Sequence, residues 1–433
     1  MSPNTESAAM ASGLADSAAV RPIAGQPAHD RTPDDGPRRR IDRFQEMMNE
    51  PSGLSATYGR AGSNTMALIA MGLLLVGLFG AAHVLTQGHI VYNTGTEMMW
   101  GLLVANYAYW ALASFGLSFI ATLALGFGVS VLDPVVKRCL VLAISTLIAA
   151  MISLWLELGQ PFGTAAIPLN LQIRSPMFWM GLFYFTYLGL LAVTLYRTVL
   201  PGGPGMAGRM LSIAHFVAAL LSLITQGLMY GMMTMRPFWY SPVLPVYFLM
   251  GSFLLGVALI TLFVNVSHGF DRDAMPESLR KLMGETMPVI LLVSLVIYIF
   301  GVTSRVLTGL WSNADGLQVF GHMVASPLFQ IEILVGLAVP LVLLAVPSWR
   351  RRPLVQAASA LLVLMSLYIA RYEFVIGGQV VPLFKGQSMP SFIAYTPSLT
   401  EWMVVALTVG VALFIYLVAS LTFRLSEPHP KMR

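Results

Sequence analysis

The sequence predicts an all-α protein that crosses a membrane about ten times. Of its 433 residues, 56% are hydrophobic and only 10% are charged, whereas soluble domains carry about 25% charged residues. The mean hydropathy is +0.73. Ten separate stretches are apolar over the roughly 20 residues that a transmembrane helix needs. The net charge of +5 comes mainly from lysines and arginines outside these stretches, so it gives no indication of nucleic-acid binding.

The ten stretches divide the chain into three parts. Residues 1–60 are rich in alanine, serine, proline and glycine, a composition that predicts a disordered cytoplasmic tail. Residues 61–425 form the predicted transmembrane domain, and residues 426–433 form a short cytoplasmic tail. The predicted spans lie near residues 64–85, 98–126, 135–157, 175–197, 209–235, 243–267, 286–311, 326–346, 353–374 and 399–423.

The basic residues predict how these spans are oriented. If the N-terminal tail is cytoplasmic, 20 of the 25 lysines and arginines lie on the cytoplasmic side and five on the other. Lysine and arginine are retained on the cytoplasmic side of membrane proteins, so both termini are predicted to be cytoplasmic. The five on the opposite side are Arg174, Arg236, Arg305, Arg371 and Lys385.

Three of the spans begin with serine followed by proline, at residues 175–176, 241–242 and 326–327. The serine hydroxyl caps free helix amides, and proline occupies a position whose N–H has no partner. The repetition indicates up-and-down helical bundles. The repeated Ser-Pro pair is explained either by an internal duplication of the chain or by a general preference of helix N-termini for serine followed by proline.

Ionisable residues near the predicted non-cytoplasmic ends of the spans form two groups. Glu157 ends the third span and Arg174 opens the fourth. The second group consists of Arg305, Glu332, Arg371 and Glu373. Charges inside a membrane are costly, so they either pair with one another or mark functional sites. We favour a functional site for the first group and interhelical ion pairs for the second, with a proton path as the alternative.

Aromatic and polar side chains surround the first group. Their flat rings and hydrogen-bonding tips suit an apolar ligand with two carbonyl groups, such as a quinone. A belt of aromatic residues at the membrane interface is the alternative interpretation. These side chains are Asn106, Tyr107, Tyr109 and Trp110 of the second span, and Phe178, Trp179, Tyr184 and Tyr187 of the fourth.

The sequence predicts no metal centre within this chain. A single cysteine, Cys139, excludes a disulfide framework, a zinc site and a protein-ligated iron–sulfur cluster. A membrane-embedded b-type haem needs two facing histidines. Only His83 and His215 lie clearly within spans, and they lie at opposite ends of the membrane, so we expect no haem.

Several motifs resemble those of the NrfD/PsrC family, the polysulfide reductase-type membrane subunits. LELGQP at the end of the third span and RSPMFWMG at the start of the fourth are similar to the family's paired signature, and IARYEFVIGGQ in the ninth span is similar to a segment of the ten-helix members. Those members include the membrane subunits of hydrogenase-2-type enzymes and of alternative complex III. The sequence departs from the pattern at Gln160, where arginine is usual, and at Tyr107, where some members have histidine.

The resemblance implies a fold, a location and partners. The fold is two four-helix bundles plus flanking helices in the bacterial inner membrane. The partner is a periplasmic, ferredoxin-like iron–sulfur subunit together with a molybdopterin enzyme, a hydrogenase or cytochromes c. The cofactor is a quinone, either menaquinone or ubiquinone. The implied quinone site consists of Asn106, Tyr107, Tyr109, Glu157, Arg174, Ser175, Tyr184 and Tyr187.

We therefore expect a membrane anchor that passes electrons between the quinone pool and its iron–sulfur partner. Glu157 would exchange a proton, and Arg174 would hold Glu157 ionised or bind a quinone carbonyl. Two alternatives stay open: a structural or proton-conducting anchor without its own quinone site, and a secondary transporter. The charges avoid the middle of the spans, where transporters bind their substrates.

Overall fold

In the computed structural model, the described part of the chain is helical and contains no strand. The structure describes residues 53–166, 172–199, 205–312, 314–384, 390–423 and 425. This confirms the predicted all-α fold class. Most of the predicted N-terminal tail and all of the predicted C-terminal tail lie outside the described residues.

Within the part of the chain that the structure describes, ten helices, α1 to α10, are long and apolar enough to cross a membrane. Each of the ten predicted stretches is confirmed. The ninth helix continues six residues beyond its predicted end, and residues 375–380 are all buried. The bounds are Thr65–Val91 (α1), Leu102–Leu125 (α2), Ser130–Glu157 (α3), Pro176–Val199 (α4), Gly205–Gly231 (α5), Leu244–Ser267 (α6), Glu277–Trp311 (α7), Pro327–Ala345 (α8), Pro353–Val380 (α9) and Leu399–Thr422 (α10).

Helix α2 lies at the centre of the molecule. In its most apolar window 89% of the residues are buried, against 28% for α1, α4 and α8, whose outer faces are left for lipid or other chains. Helices α2 to α5 pack in a ring, as do α6 to α9, while α1 packs along α10. These contacts support the predicted arrangement of two four-helix bundles with flanking helices, which we retain as a proposal.

Two glycines allow α2 and α6 to cross closely. A Cβ atom on Gly256 of α6 would overlap the backbone of Gly116 in α2, and one on Gly116 would overlap the Ser252 carbonyl. Small residues at helix crossings are typical of membrane proteins, in which packing substitutes for the hydrophobic effect. This crossing joins the two rings of helices.

Replacing Gly116 by alanine is expected to destabilise the protein by about 1–3 kcal/mol, since the two backbones must separate to admit the methyl group. The matched control is Gly189→Ala in α4, where a Cβ atom meets nothing within 4 Å. Thermal unfolding of the detergent-solubilised protein should show a lower midpoint for Gly116→Ala only. Equal midpoints for the two variants would show that the crossing is not tightly packed.

Two helices contain a widened turn next to a proline. The π-helical segments Leu282–Thr286 in α7 and Ile331–Ala338 in α8 end two residues before Pro288 and Pro340. Proline has no N–H, and its ring clashes with the carbonyl four residues earlier, so the wider turn relieves that clash. The segment in α8 carries Glu332, and π turns are frequent at functional sites.

Hydrogen bonds join the ends of α9 and α3 to the loop before α2. The Gln379 side chain donates to the Trp100 carbonyl at 2.8 Å and accepts from the Trp100 N–H at 2.9 Å. The Tyr92 hydroxyl donates to the Leu156 carbonyl at 3.0 Å. We call this end of the molecule, where α3 and α9 finish and α2 begins, the Glu157 end.

Candidate functional site

Glu157 turns inward at the end of α3. Its side chain is only 8% exposed, the Gly101 N–H faces its carboxyl group, and its Oε2 atom is buried without a hydrogen-bond partner. Ser153, one turn earlier on the same face of α3, donates to the Leu103 carbonyl at 2.9 Å. This face of α3 therefore directs Glu157 toward the start of α2.

Arg174 does not join Glu157. Arg174 is exposed in the loop before α4, whereas Glu157 is buried, and no ion pair forms between these two described residues. The alternative in which Arg174 pairs with Glu157 and holds it ionised is therefore wrong, and the other alternative, that Arg174 binds a quinone carbonyl, stays a prediction. The physical reason is that an arginine in a loop gains more from water than from entering a protein interior to meet one carboxylate.

Asn106 holds four helices together. Its Nδ2 atom donates to Ser153 Oγ of α3 at 3.0 Å and to Thr408 Oγ1 of α10 at 3.1 Å. Its Oδ1 atom accepts from the Tyr368 hydroxyl of α9 at 3.4 Å. Trp110, one turn further along α2, also donates to Thr408, at 3.1 Å. The Asn106 amide is therefore occupied by the protein itself.

Tyr107 faces the opposite side of α2, toward α4 and α5. Its hydroxyl donates to the Met180 sulfur at 3.2 Å and accepts from the Tyr184 hydroxyl at 3.3 Å. The Tyr184 hydroxyl also lies 3.2 Å from Gln226 Oε1. The Nε2 atom of Gln226 is buried without a partner, so this chain of polar groups ends in a free donor. Gln226 was not singled out from the sequence.

The remaining predicted quinone ligands occupy three different places. The Tyr187 hydroxyl is bonded to Ser114, at 3.0 Å from both its hydroxyl and its carbonyl oxygen. Tyr109 packs its ring edge-on against Tyr368, with 5.1 Å between centroids. Ser175 is half-buried at the start of α4. The structure thus places Tyr107, Tyr184 and Tyr187 between α2, α4 and α5, and directs Asn106 and Tyr109 toward α9 and α10.

The second predicted group lies around a partly open cavity among α7, α8 and α9. The cavity encloses about 340 Å³ of empty space, including the part that opens to the outside. Glu332 and Glu373 face each other on its wall, and the Ser326 hydroxyl donates to Glu373 Oε1 at 2.9 Å. Its lining residues are Phe238, Tyr247, Val302, Arg305, Val306, Phe320, Met323, Phe329, Glu332, Ala370, Glu373 and Phe374.

The two arginines of this group contact aromatic rings, not carboxylates. Arg305 lies 4.6 Å from the Phe238 ring centroid and 4.7 Å from that of Phe374, and it donates to the Phe238 carbonyl at 3.0 Å. Arg371 is fully buried and lies 4.9 Å from the Phe248 centroid. No ion pair joins either arginine to Glu332 or Glu373, all four of which the structure describes. The favoured prediction of ion pairs is therefore wrong, because cation–π contacts hold the guanidinium groups.

A cluster of aromatic rings lies between the two groups. Tyr230 of α5 packs against Trp100 at 5.5 Å, Trp239 at 5.4 Å and Phe374 at 5.1 Å between centroids. Trp239 also donates through its indole N–H to the Phe374 carbonyl at 2.7 Å. We did not predict this cluster, although its member Trp100 lies at the start of the second predicted span and is bonded to Gln379 of the ninth-span motif.

The histidines within the spans are bonded to threonines. His215 Nε2 lies 2.9 Å from Thr122 Oγ1, and Nδ1 lies 3.2 Å from Thr194 Oγ1. His83 Nδ1 lies 3.1 Å from Thr400 Oγ1. Within the described ranges, no group of three or more histidine, cysteine, aspartate or glutamate residues is arranged to hold a metal ion.

Comparison with known proteins assigns the family. The model of the polysulphide reductase NrfD family matches residues 90–383. The chain belongs to the NrfD family. It is also similar to one of the selenate reductase subunits of Mesobacillus selenatarsenatis, with 21% identity over 398 residues that make up 82% of this chain and 91% of the relative.

The NrfD match extends from just before α2 to just after α9. Helix α10 and all of α1 except its last two residues lie outside it. Helix α10 nevertheless contributes Thr408 to the Asn106 network and Glu401 to the start of α2. The surroundings of the predicted site therefore include a helix beyond the matched NrfD region.

Proposed function

We propose that this chain is the membrane subunit of a multi-subunit reductase complex and exchanges electrons and protons with the membrane quinone pool. The observation that carries this proposal is the NrfD match over residues 90–383. The similarity to a subunit of selenate reductase over most of both chains supports a role inside a reductase complex.

Two buried atoms without partners fit a quinone at the Glu157 end. Gln226 Nε2 is a free donor next to Tyr184, and Glu157 Oε2 is a free oxygen next to the start of α2. A buried polar atom without a partner costs about 1–3 kcal/mol, so each is poised to bind a polar ligand group. A quinone, when bound, supplies the two-electron and two-proton chemistry.

The residues of this chain then have distinct roles. The Tyr107 and Tyr184 hydroxyls and the Gln226 amide orient a carbonyl group, while the apolar surroundings exclude water. Glu157 holds or releases the proton that accompanies electron transfer. Arg174, exposed before α4, interacts with the partner subunit or with lipid headgroups. Asn106, Tyr109, Ser175 and Tyr187 support the site through the helices they join.

The cavity among α7, α8 and α9 provides a second proton site in this proposal. Two facing carboxyl groups in a buried setting readily share one proton. The Glu373 Oε2 atom is buried without a protein partner, which leaves it available to a water molecule. The positive charges of Arg305 and Arg371, which lie among aromatic rings, balance negative charge in this region. Together the four residues form the proposed proton path.

The proposed partner binds at the Glu157 end. It is a ferredoxin-like iron–sulfur protein joined to a molybdopterin enzyme, a hydrogenase or cytochromes c. The distribution of lysine and arginine supports an orientation with this end on the periplasmic side of a bacterial inner membrane and both termini in the cytoplasm.

A structural or proton-conducting anchor without a quinone site is the second candidate. The closed hydrogen-bond networks of Asn106 and Tyr187 favour it, since these two predicted ligands have no free polar atom for a quinone.

The complex purified in mild detergent from a strain carrying the tagged chain tests the proposal. We expect iron–sulfur and catalytic subunits to co-purify and to react with a water-soluble quinol or quinone analogue. The same soluble subunits isolated from a strain that lacks this chain should lose that reaction but retain activity with artificial dyes. A chain that purifies without redox partners would contradict the proposal.

A further inference from the structure

Helix α10 supplies a buried carboxylate to the start of α2. Glu401 is fully buried and accepts hydrogen bonds from the backbone N–H groups of Ser398 at 2.7 Å, Leu102 at 3.2 Å and Asn93 at 3.4 Å. The Tyr395 hydroxyl donates a fourth. Four donors, two of them at helix N-termini, therefore converge on this one carboxyl group.

Glu401 accepts more hydrogen bonds than helix capping requires. Ser398 and Glu401 form a capping box at the start of α10, and that motif needs only their two reciprocal hydrogen bonds. The bonds from Leu102 and Asn93 add the start of α2 and the loop before it. Glu401 therefore fixes the backbone at the position where Glu157 approaches α2.

Gly101 separates the two carboxyl groups. Its N–H faces Glu157, while a Cβ atom at this position would overlap the Tyr395 hydroxyl and Glu401 Oε1. One residue of backbone thus lies between a carboxylate saturated with donors and a carboxyl group with a free oxygen. Like charges in a low-dielectric region repel strongly, so a negative charge on one group acts on the other.

We propose that Glu401 is a positioning residue for proton exchange at Glu157: its negative charge, acting across Gly101, holds the proton on Glu157 and sets the pH range of turnover. This inference rests on the proposed function. It assigns a role to α10, which lies outside the NrfD match. It also gives Tyr395 a role, because its hydroxyl donates to Glu401 and offsets part of that charge.

The other titratable groups around the two carboxyl groups do not cancel the effect of the Glu401 charge on Glu157. Burial and the adjacent Glu401 carboxylate raise the pKa of Tyr395 well above its ordinary range, so Tyr395 stays a neutral donor. Burial and the charges of Glu157 and Glu401 likewise raise the pKa of Tyr92. The remaining groups that face the pair are Tyr230 of α5, Tyr372 of α9 and His83 of α1, which is bonded to Thr400.

The test is the pH profile of quinol-linked turnover by the purified complex, with a water-soluble quinol analogue as the probe. Glu401→Gln removes the negative charge beside Glu157. The limb of the pH profile, that is, the range in which turnover changes with the protonation of Glu157, should therefore move to lower pH by about 0.5 unit or more. Glu401→Asp retains a charge and should restore the wild-type limb. Ser398→Ala, which weakens the same cap but keeps the charge, should leave the limb in place.

Three outcomes overturn the inference. These are an unmoved limb in Glu401→Gln, an equal shift in Ser398→Ala, and failure of Glu401→Asp to restore the limb in an assembled complex. If Glu401→Gln does not assemble, Tyr395→Phe is the second variant. Tyr395→Phe removes the positive end of an O–H dipole beside the Glu401 carboxylate, which makes the potential at Glu157 more negative. The limb should therefore move to higher pH, and an unmoved limb again overturns the inference.

Glu157→Gln separates this inference from the proposed function. If Glu157→Gln retains wild-type turnover and the wild-type profile, Glu157 is not the proton-exchanging group and the proposed function of the site fails. If Glu157→Gln removes the limb but the Glu401 variants do not shift it, only the role of Glu401 fails.

Discussion

Replacing Glu157 by glutamine is expected to lower quinol-linked turnover by about 100-fold or more, the lower range of contributions from positioned acids and bases. Glutamine keeps the shape of the side chain but cannot exchange a proton. Glu157 is buried with a free oxygen next to the start of α2, whereas the neighbouring carboxyl group of Glu401 already accepts four hydrogen bonds. The measurement is turnover by equal amounts of the purified wild-type and variant complexes.

The control for this substitution is Glu97→Gln. Glu97 lies half-buried in the loop between α1 and α2, near Arg236, and has no role in the proposed site. Its replacement should leave turnover within about twofold of wild type, as for a surface change away from a functional group. Wild-type turnover in an intact Glu157→Gln complex would remove Glu157 from the mechanism.

The second large effect is expected at the facing carboxyl groups of the cavity. The double variant Glu332→Gln, Glu373→Gln should lower turnover by about 10-fold or more, because it removes both proton-carrying groups from the proposed path. Each single variant should lose less, since the remaining carboxyl group still carries the proton. Two groups that share a proton act as a unit, so their effects are not additive.

Complexes reconstituted in vesicles with a pH-sensitive dye provide the measurement. The double variant should show slower proton uptake or release together with slower turnover. Glu277→Gln is the control, since Glu277 is exposed near the beginning of α7, far along that helix from Arg305. Unchanged proton movement and turnover in the double variant would show that the carboxyl pair has only a structural role.

The positions of the ten helices were predictable from the sequence because hydropathy is a local property. A run of about 20 apolar residues must cross the membrane as a helix, wherever it lies in the fold. The widened turn of α8 was only partly predictable. Pro340 is visible in the sequence, but the sequence does not show that the resulting π segment directs Glu332 into a cavity.

The partners of the buried charges were not predictable. Carboxylates were the expected partners of Arg305 and Arg371, yet both arginines lie against rings contributed by α6, α9 and the loop before α6. Spacing along one helix does not determine which side chains a neighbouring helix presents. Gln226 was missed for the same reason, because a single glutamine in an apolar helix has no local signal that marks it as part of the Tyr184 network.

The contacts of Glu401 were not predictable either, because they join residues that are far apart in the sequence. Its position at the start of the last span was evident, and the serine three residues before it indicates a helix cap. Its contacts with Leu102 and Asn93 join residues about 300 positions apart. Contacts of that kind depend on how α10 packs beside α2 and α3, which no pattern within the span specifies.

The central claim is that a quinone binds at the Glu157 end between α2, α4 and α5. Photoaffinity labelling of the purified complex with an azido-quinone, followed by mapping of the labelled peptides, tests this claim most directly. We predict label within Leu102–Leu125, Pro176–Val199 or Gly205–Gly231, near Tyr107 and Tyr184, and loss of that label when excess unlabelled quinol competes. Label confined to the cavity among α7, α8 and α9, or to other subunits alone, would contradict the claim.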